Sequence, residues 1–187
     1  MKGCLQGIVS YQKELYTCYF GFGYNTCKRY LWNEDESLES THDGFLKIYN
    51  RLETFQCPEA HIERSLKPWM QRIFARTAID YLRRQKGKNL VSLGEGEETE
   101  LVYTGEISTE TSLSYKELLE LIARLSPAYR LVFNLYVIDG FSHGEIAGMM
   151  GITEGASRAN LVKARLNLQK WIQEESGQKK LYGKTAI

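Results

Sequence analysis

Between Phe141 and Trp171 the chain reads FSHGEIAGMMGITEGASRANLVKARLNLQKW, a helix, a tight turn and a second helix. Each boundary is written in the residues. Ser142 can cap the first helix while Glu145, three residues on, reaches back to complete a capping box. The apolar side of that helix is Ile146, Met149 and Met150. Gly151 stands where the turn needs a left-handed or otherwise permissive backbone, and Ala147 is small enough to let the next helix pack close. Thr153 caps the second helix. Ser157, Leu161, Ala164 and Leu168 then recur at helical spacing and form one inward stripe, with Ser157 in a slot where an apolar residue is more usual.

The opposite face of the second helix carries Arg158, Ala159, Val162 and Lys163, flanked by Asn160 and Arg165. Those side chains suit a DNA major groove. Arginine forks onto guanine, lysine meets phosphate or guanine, alanine and valine touch a thymine methyl, and asparagine pairs with adenine or a backbone oxygen. The plainer alternative is a solvated amphipathic face with ordinary surface charges.

The whole chain has 187 residues, 43% hydrophobic and 25% charged, with a formal charge of +1, which describes globular material of one medium or two small domains. Two small ones fit better, because the charge is segregated along the chain. From Glu63 to Lys88 the cations are Arg64, Lys67, Arg72, Arg76, Arg83, Arg84, Lys86 and Lys88, opposed by Glu63 and Asp80. Between Asn89 and Tyr115 the charged residues are Glu95, Glu97, Glu98, Glu100, Glu106 and Glu110. Lacking helical periodicity, 89–113 reads as an acidic flexible linker between two helical modules. About 25 residues at roughly 3.3 to 3.6 Å each span roughly 80 Å, enough for the modules to touch duplex about two turns apart. The expected fold is all-α: a helical domain over 1–88, the linker over 89–113, and a helix-turn-helix domain over 114–175, opened by a second capping box from Ser114 and Glu117. The polar tail over 176–187 is expected to fray.

The first module begins with a heavy aromatic load, Tyr11, Tyr16, Tyr19, Phe20, Phe22, Tyr24, Tyr30, Leu31 and Trp32, which suits a long buried helix that Gly21 and Gly23 weaken. After a polar break at Asn33 to Glu36, Leu38, Phe45, Ile48, Tyr49 and Leu52 form the stripe of a second helix. A third helix runs from about Ser65 to Lys86, with Pro68 near its start, where a missing N–H costs little. Its core side is Met70, Phe74, Ala78, Tyr81 and Leu82. On another side Arg72, Arg76 and Arg83 form a cationic ladder beside Trp69 and Asp80, an arrangement suited to unpaired nucleic acid, whose bases stack on rings and guanidinium planes. Equally, Trp69 can pack on a neighbouring helix, the arginines can be a solvated face, and Asp80 can pair with Arg76 or Arg84 four residues away.

Taken together, three blocks resemble the extracytoplasmic-function sigma factors, the small two-domain members of the sigma-70 family. DESLESTHDGFLKIYNRLETF is similar to the helix that docks on the polymerase clamp, and WMQRIFARTAIDYLRR to the segment that recognises and opens the minus-ten element. LSPAYRLVFNLYVIDGFSHGEIAGMMGITEGASRANLVKARLNLQ is similar to the domain that reads minus-thirty-five. They cover most of the chain in family order. The resemblance implies clamp contacts near Glu39, His42, Asp43 and Leu46, and melted-strand contacts near Arg72, Arg76, Asp80, Arg83 and Arg84. It implies groove contacts by Arg158, Ala159, Val162 and Lys163. His42 stands where the family usually has Gln, and Arg76 where it usually has Asn.

The function so implied is initiation of transcription: binding core RNA polymerase and directing it to promoter DNA, with an anti-sigma factor as a further partner the resemblance allows. The alternatives are a free-standing helix-turn-helix regulator, which leaves the first module without a role, and a pure interaction module. No catalytic residue, cofactor or metal is expected. Cys4, Cys18, Cys27 and Cys57 contain no CxxC pair, and His42, His61 and His143 do not join them at ligand spacing. Cys57 and His61 are four apart, but Pro58 opposes the helix that would align them. Reduced thiols, too short an apolar run for a signal peptide and no stretch of spanning length point to a cytoplasmic protein without membrane insertion.

Overall fold

The computed structural model describes residues 4, 7–55, 61–86 and 115–182, and the chain divides into two units between Asn89 and Leu90. Among the described residues every regular element is helical. The expected linker over 89–113 and Ser114 of the expected second capping box lie outside them.

The first unit is a bundle of α1 (Val9–Lys28), α2 (Glu34–Arg51) and α3 (Ile62–Lys86), with a short 3-10 turn, Leu52–Thr54, after α2; each helix packs on the other two. Asn33 starts α2, its side chain accepting from the backbone N–H groups of Asp35 and Glu36 at 2.8 and 3.1 Å. Glu34, Asp35 and Glu36 then place negative charge against the positive helix end. Phe74 of α3 is fully buried at the centre of the bundle. Its ring lies against Gly23 of α1 and Gly44 of α2, and a Cβ on Gly23 would stand 2.6 Å from the ring. Two backbones thus close on one phenylalanine, with Phe45 edge-on at 5.2 Å. The buried hydroxyls of Thr26, Thr41 and Thr77 each donate to the carbonyl one turn back, so they enter the interior without an unmet donor.

Three expectations change here. Helix α1 passes through Gly21 and Gly23 unbroken, but it is not buried along its length: it ends at Lys28, and Tyr11 and Trp32 are 48% and 57% exposed. Leu38, expected in the α2 stripe, is also exposed, because α2 turns to the bundle through Ser37, Ser40, Thr41, Gly44, Phe45 and Ile48. Pro68 lies well inside α3, which begins at Ile62 rather than Ser65. The first turn is therefore N-terminal to the proline, whose exposed ring leaves one backbone carbonyl without its helical donor.

The second unit holds α4 (Tyr115–Arg124), α5 (Pro127–Phe133), a π-helical turn (Asn134–Ile138), α6 (His143–Met150) and α7 (Glu154–Tyr182). Leu121, Ile122 and Leu125 pack on Ala164 and Leu168, with Tyr129, Phe133, Trp171 and Ile172 around them. Pro127 opens α5 at a position where its missing N–H is harmless. Arg130 reaches back to the end of α4, donating to the carbonyls of Ala123 at 2.9 Å and Leu125 at 3.4 Å, and burial brings its pKa down to about 10. The guanidinium remains charged at neutral pH and caps that helix. The backbone of α7 continues to Tyr182, so the helix runs into the expected polar tail, and 183–187 lie outside the described residues.

Candidate nucleic-acid interface

In the second unit, α6 and α7 form the helix-turn-helix. Both halves of the capping box form: Ser142 accepts from the Glu145 N–H, and the Glu145 carboxylate accepts from the Ser142 N–H at 3.0 Å. Gly151 ends α6 at φ +72°, a left-handed conformation that a β-carbon would oppose. Thr153 Oγ1 accepts from the Ala156 N–H at 3.1 Å and starts α7. Ser157, Leu161, Ala164 and Leu168 are buried. Rigid supports thus fix the outer face of α7, where Arg158, Ala159, Val162 and Arg165 are exposed and Asn160 and Lys163 half-buried.

Ser157 reaches the interior through a polar partner: its Oγ lies 2.9 Å from Nδ1 of His143 on α6. The imidazole stacks on Tyr136 at 4.4 Å, and the Arg165 guanidinium lies 6.0 Å from the same tyrosine ring. Desolvation, followed by the positive charge of Arg158, holds His143 below its ordinary pKa of 6.5. Arg158 donates to Glu154 at 2.8 Å. Sequence reasoning overlooked His143, Tyr136 and Glu154. The available signal was Ser157, a hydroxyl in an apolar slot that needed a partner.

On the first unit, Arg76, Asp80, Arg83 and Arg84 are exposed on α3 and Arg72 is half-buried. Asp80 pairs with Lys47 of α2 at 3.3 Å, a partner on the neighbouring helix. Arg84 pairs with Asp43 of α2 at 3.4 Å and lies 5.6 Å from the Tyr81 ring. Asp43, Lys47, Asp80, Arg83 and Arg84 therefore line one open cleft of about 480 Å³ between α2 and α3. Of the other clamp-facing candidates, Glu39 accepts from the Tyr81 hydroxyl at 3.1 Å and Leu46 is 61% exposed. His42 Nε2 lies 3.1 Å from the Tyr16 hydroxyl, its ring stacked on Tyr16. Trp69 is half-buried against Phe55, 5.1 Å between rings, in the segment after the 3-10 turn.

Among the described residues no three His, Cys, Asp or Glu side chains gather as a metal site, and no helix is long and apolar enough to cross a membrane. Cys57 lies outside them.

A helical bundle with an arginine-bearing edge and a helix-turn-helix with a cationic outer face are the parts of a nucleic-acid-directed factor. Residues 15–88 match the family model for sigma-70 region 2 and residues 115–168 that for sigma-70 region 4. The RNA polymerase sigma factor SigV of Bacillus subtilis strain 168 is 28% identical over 143 residues, 76% of each chain. The ECF RNA polymerase sigma factor SigW of the same organism is 24% identical over 160 residues, 81% of this chain and 83% of that one. A solved structure of the sigma factor RpoE with the anti-sigma factor NepR, from Bartonella quintana, aligns with a TM-score of 0.49 and 19% identity, covering 86% of this chain and 96% of that one. The chain belongs to the sigma-70 family, in its extracytoplasmic-function group, and is a transcription initiation factor.

Proposed function

We propose that this factor docks on core RNA polymerase through α2, reads promoter duplex at minus-thirty-five through α7, and captures the unpaired minus-ten strand along α3. The docking residues are Glu39, His42, Asp43 and Leu46; the strand residues are Arg72, Arg76, Asp80, Arg83 and Arg84. The groove residues are Arg158, Ala159, Asn160, Val162, Lys163 and Arg165. The observation that carries the reading is the outer face of α7: guanidinium groups and small apolar side chains exposed over a stripe of four buried residues. Such a face offers forks for guanine and surfaces for thymine methyls, while the buried stripe fixes its pitch in the groove.

The mechanism is binding coupled to melting, without a catalytic residue, cofactor or metal in the chain. Phosphate contacts set register, base contacts set sequence, and unpairing at a cost of a few kcal/mol is offset by stacking and cationic contacts to the released strand. In this reading 1–88 and 114–175 are the working domains, 89–113 tethers them, the factor acts in the cytoplasm, and an anti-sigma factor is a further partner. Co-purification with core polymerase, followed by permanganate footprinting of promoter DNA, tests it. Reactive thymines near minus-ten that require both the factor and the core enzyme support the reading. Tight, specific duplex binding by the chain alone, with no retention on core enzyme, contradicts it in favour of a free-standing regulator.

A further inference from the structure

Glu154 opens α7, and its carboxylate touches two elements at once. Oε2 accepts from Arg158 at 2.8 Å, one turn along the same helix. Oε1 lies over Gly144 of α6, where an added Cβ would stand 3.0 Å from it and 3.7 Å from the carboxyl carbon. An acidic residue in a first turn is favourable in any rotamer, and a pair four residues apart forms on any helix. Neither effect needs a bare backbone at residue 144. In the middle of a first helical turn, where alanine would favour the helix, glycine leaves space that the Glu154 carboxylate fills. Both partners remain about half exposed, at 52% and 59%, so the pair faces the groove side rather than the core.

We infer that Glu154, seated over Gly144, is a specificity-determining residue of the recognition helix: it holds the Arg158 guanidinium by one edge and presents the other to a guanine. The inference rests on the groove reading proposed above. A guanidinium has five donors in a planar fork; with one amino group engaged by the carboxylate, the remaining edge matches the O6 and N7 acceptors of guanine. A tethered arginine has less freedom to lose on binding. An untethered one on an exposed helix serves any phosphate, and the Glu154 charge opposes that use.

Selection from randomised upstream duplex by the holoenzyme, full-length chain plus core polymerase, reads base preference at each position. The wild type is expected to show a guanine preference that Arg158→Ala abolishes. Glu154→Gln is expected to weaken that preference about threefold to tenfold, raise retention of unrelated duplex, and leave the other positions unchanged. Gly144→Ala is expected to weaken it similarly by displacing the carboxylate with no change of charge. Its melting temperature should not fall, because the displaced group is the far end of a flexible side chain. A guanine preference unchanged in either variant, while Arg158→Ala still abolishes it, overturns the inference and leaves the groove reading intact. If no preference in the wild type depends on Arg158, the groove reading fails and this inference with it.

Discussion

Nδ1 of His143, on the first helix of the helix-turn-helix, lies 2.9 Å from the hydroxyl of Ser157 on the second. One hydrogen bond thereby stands in for the apolar contact usual at that position, and the two helices are held by a polar latch stacked on Tyr136. Ser157→Ala leaves the imidazole short of a partner and is expected to cost about 1 kcal/mol. Adding His143→Phe should recover part of that loss, since the ring still stacks on Tyr136 and nothing polar is left unmet. Urea unfolding of the four members of this cycle measures it; a double variant as unstable as the summed singles contradicts the latch.

The same imidazole gives a pH dependence of known sign. His143 titrates below its ordinary 6.5 in the fold, so the unfolded chain takes up the proton first as pH falls. Its contribution to stability is complete above 6.5 and is lost on acidification through the folded value. Arg158, Glu154 and Arg165 are the charged groups that act on it. Unfolding midpoints followed from about pH 8 to about pH 5 should fall more in the wild type than in His143→Phe. Parallel curves contradict the assignment.

The Phe74 ring between Gly23 and Gly44 makes helix spacing in the first unit depend on two missing side chains. Gly23→Ala gains about 1 kcal/mol of helix propensity yet is expected to destabilise by about 1 to 3 kcal/mol net, because ring and backbone both resist displacement. Phe74→Leu in that background should restore part of the stability. Thermal unfolding decides the matter, and a stabilised Gly23→Ala chain would contradict this packing account.

Asp43 and Arg84 join the proposed polymerase and minus-ten residues in one ion pair. With side chains 37% and 63% exposed, that pair contributes about 0 to 1 kcal/mol to stability. Its expected role is positional: Arg84→Ala should weaken core polymerase binding as well as promoter opening, with little change in melting temperature. Anisotropy of labelled factor and fluorescence of 2-aminopurine at minus-ten separate the two steps. Normal polymerase binding beside impaired opening contradicts the coupling.

The helix-turn-helix was legible because its information is local: Ser142 with Glu145, Gly151 and Thr153 are spaced by helix geometry, and the α7 stripe repeats with the helical turn. The all-α class followed from the same periodicity. Tertiary placement was less legible. Lys47 and Asp80 are 33 residues apart, so no local rule pairs them. Tyr11 and Trp32 belong to an aromatic run that reads as core, but one helix face can bury only part of such a run. The turn of α3 before Pro68 was missed because a proline is the ordinary mark of a helix start. Glu154 was overlooked because its place over Gly144 joins two helices, and no spacing within one helix reveals it.

The central claim, that this chain gives core RNA polymerase its choice of start site, is tested most directly by sequencing RNA 5′ ends made in vitro by sigma-free core enzyme on genomic DNA, with and without the factor. The account expects discrete 5′ ends appearing only with the factor, preceded by shared minus-ten and minus-thirty-five sequences, and lost with Arg158→Ala. Identical 5′ ends with and without the factor would contradict it.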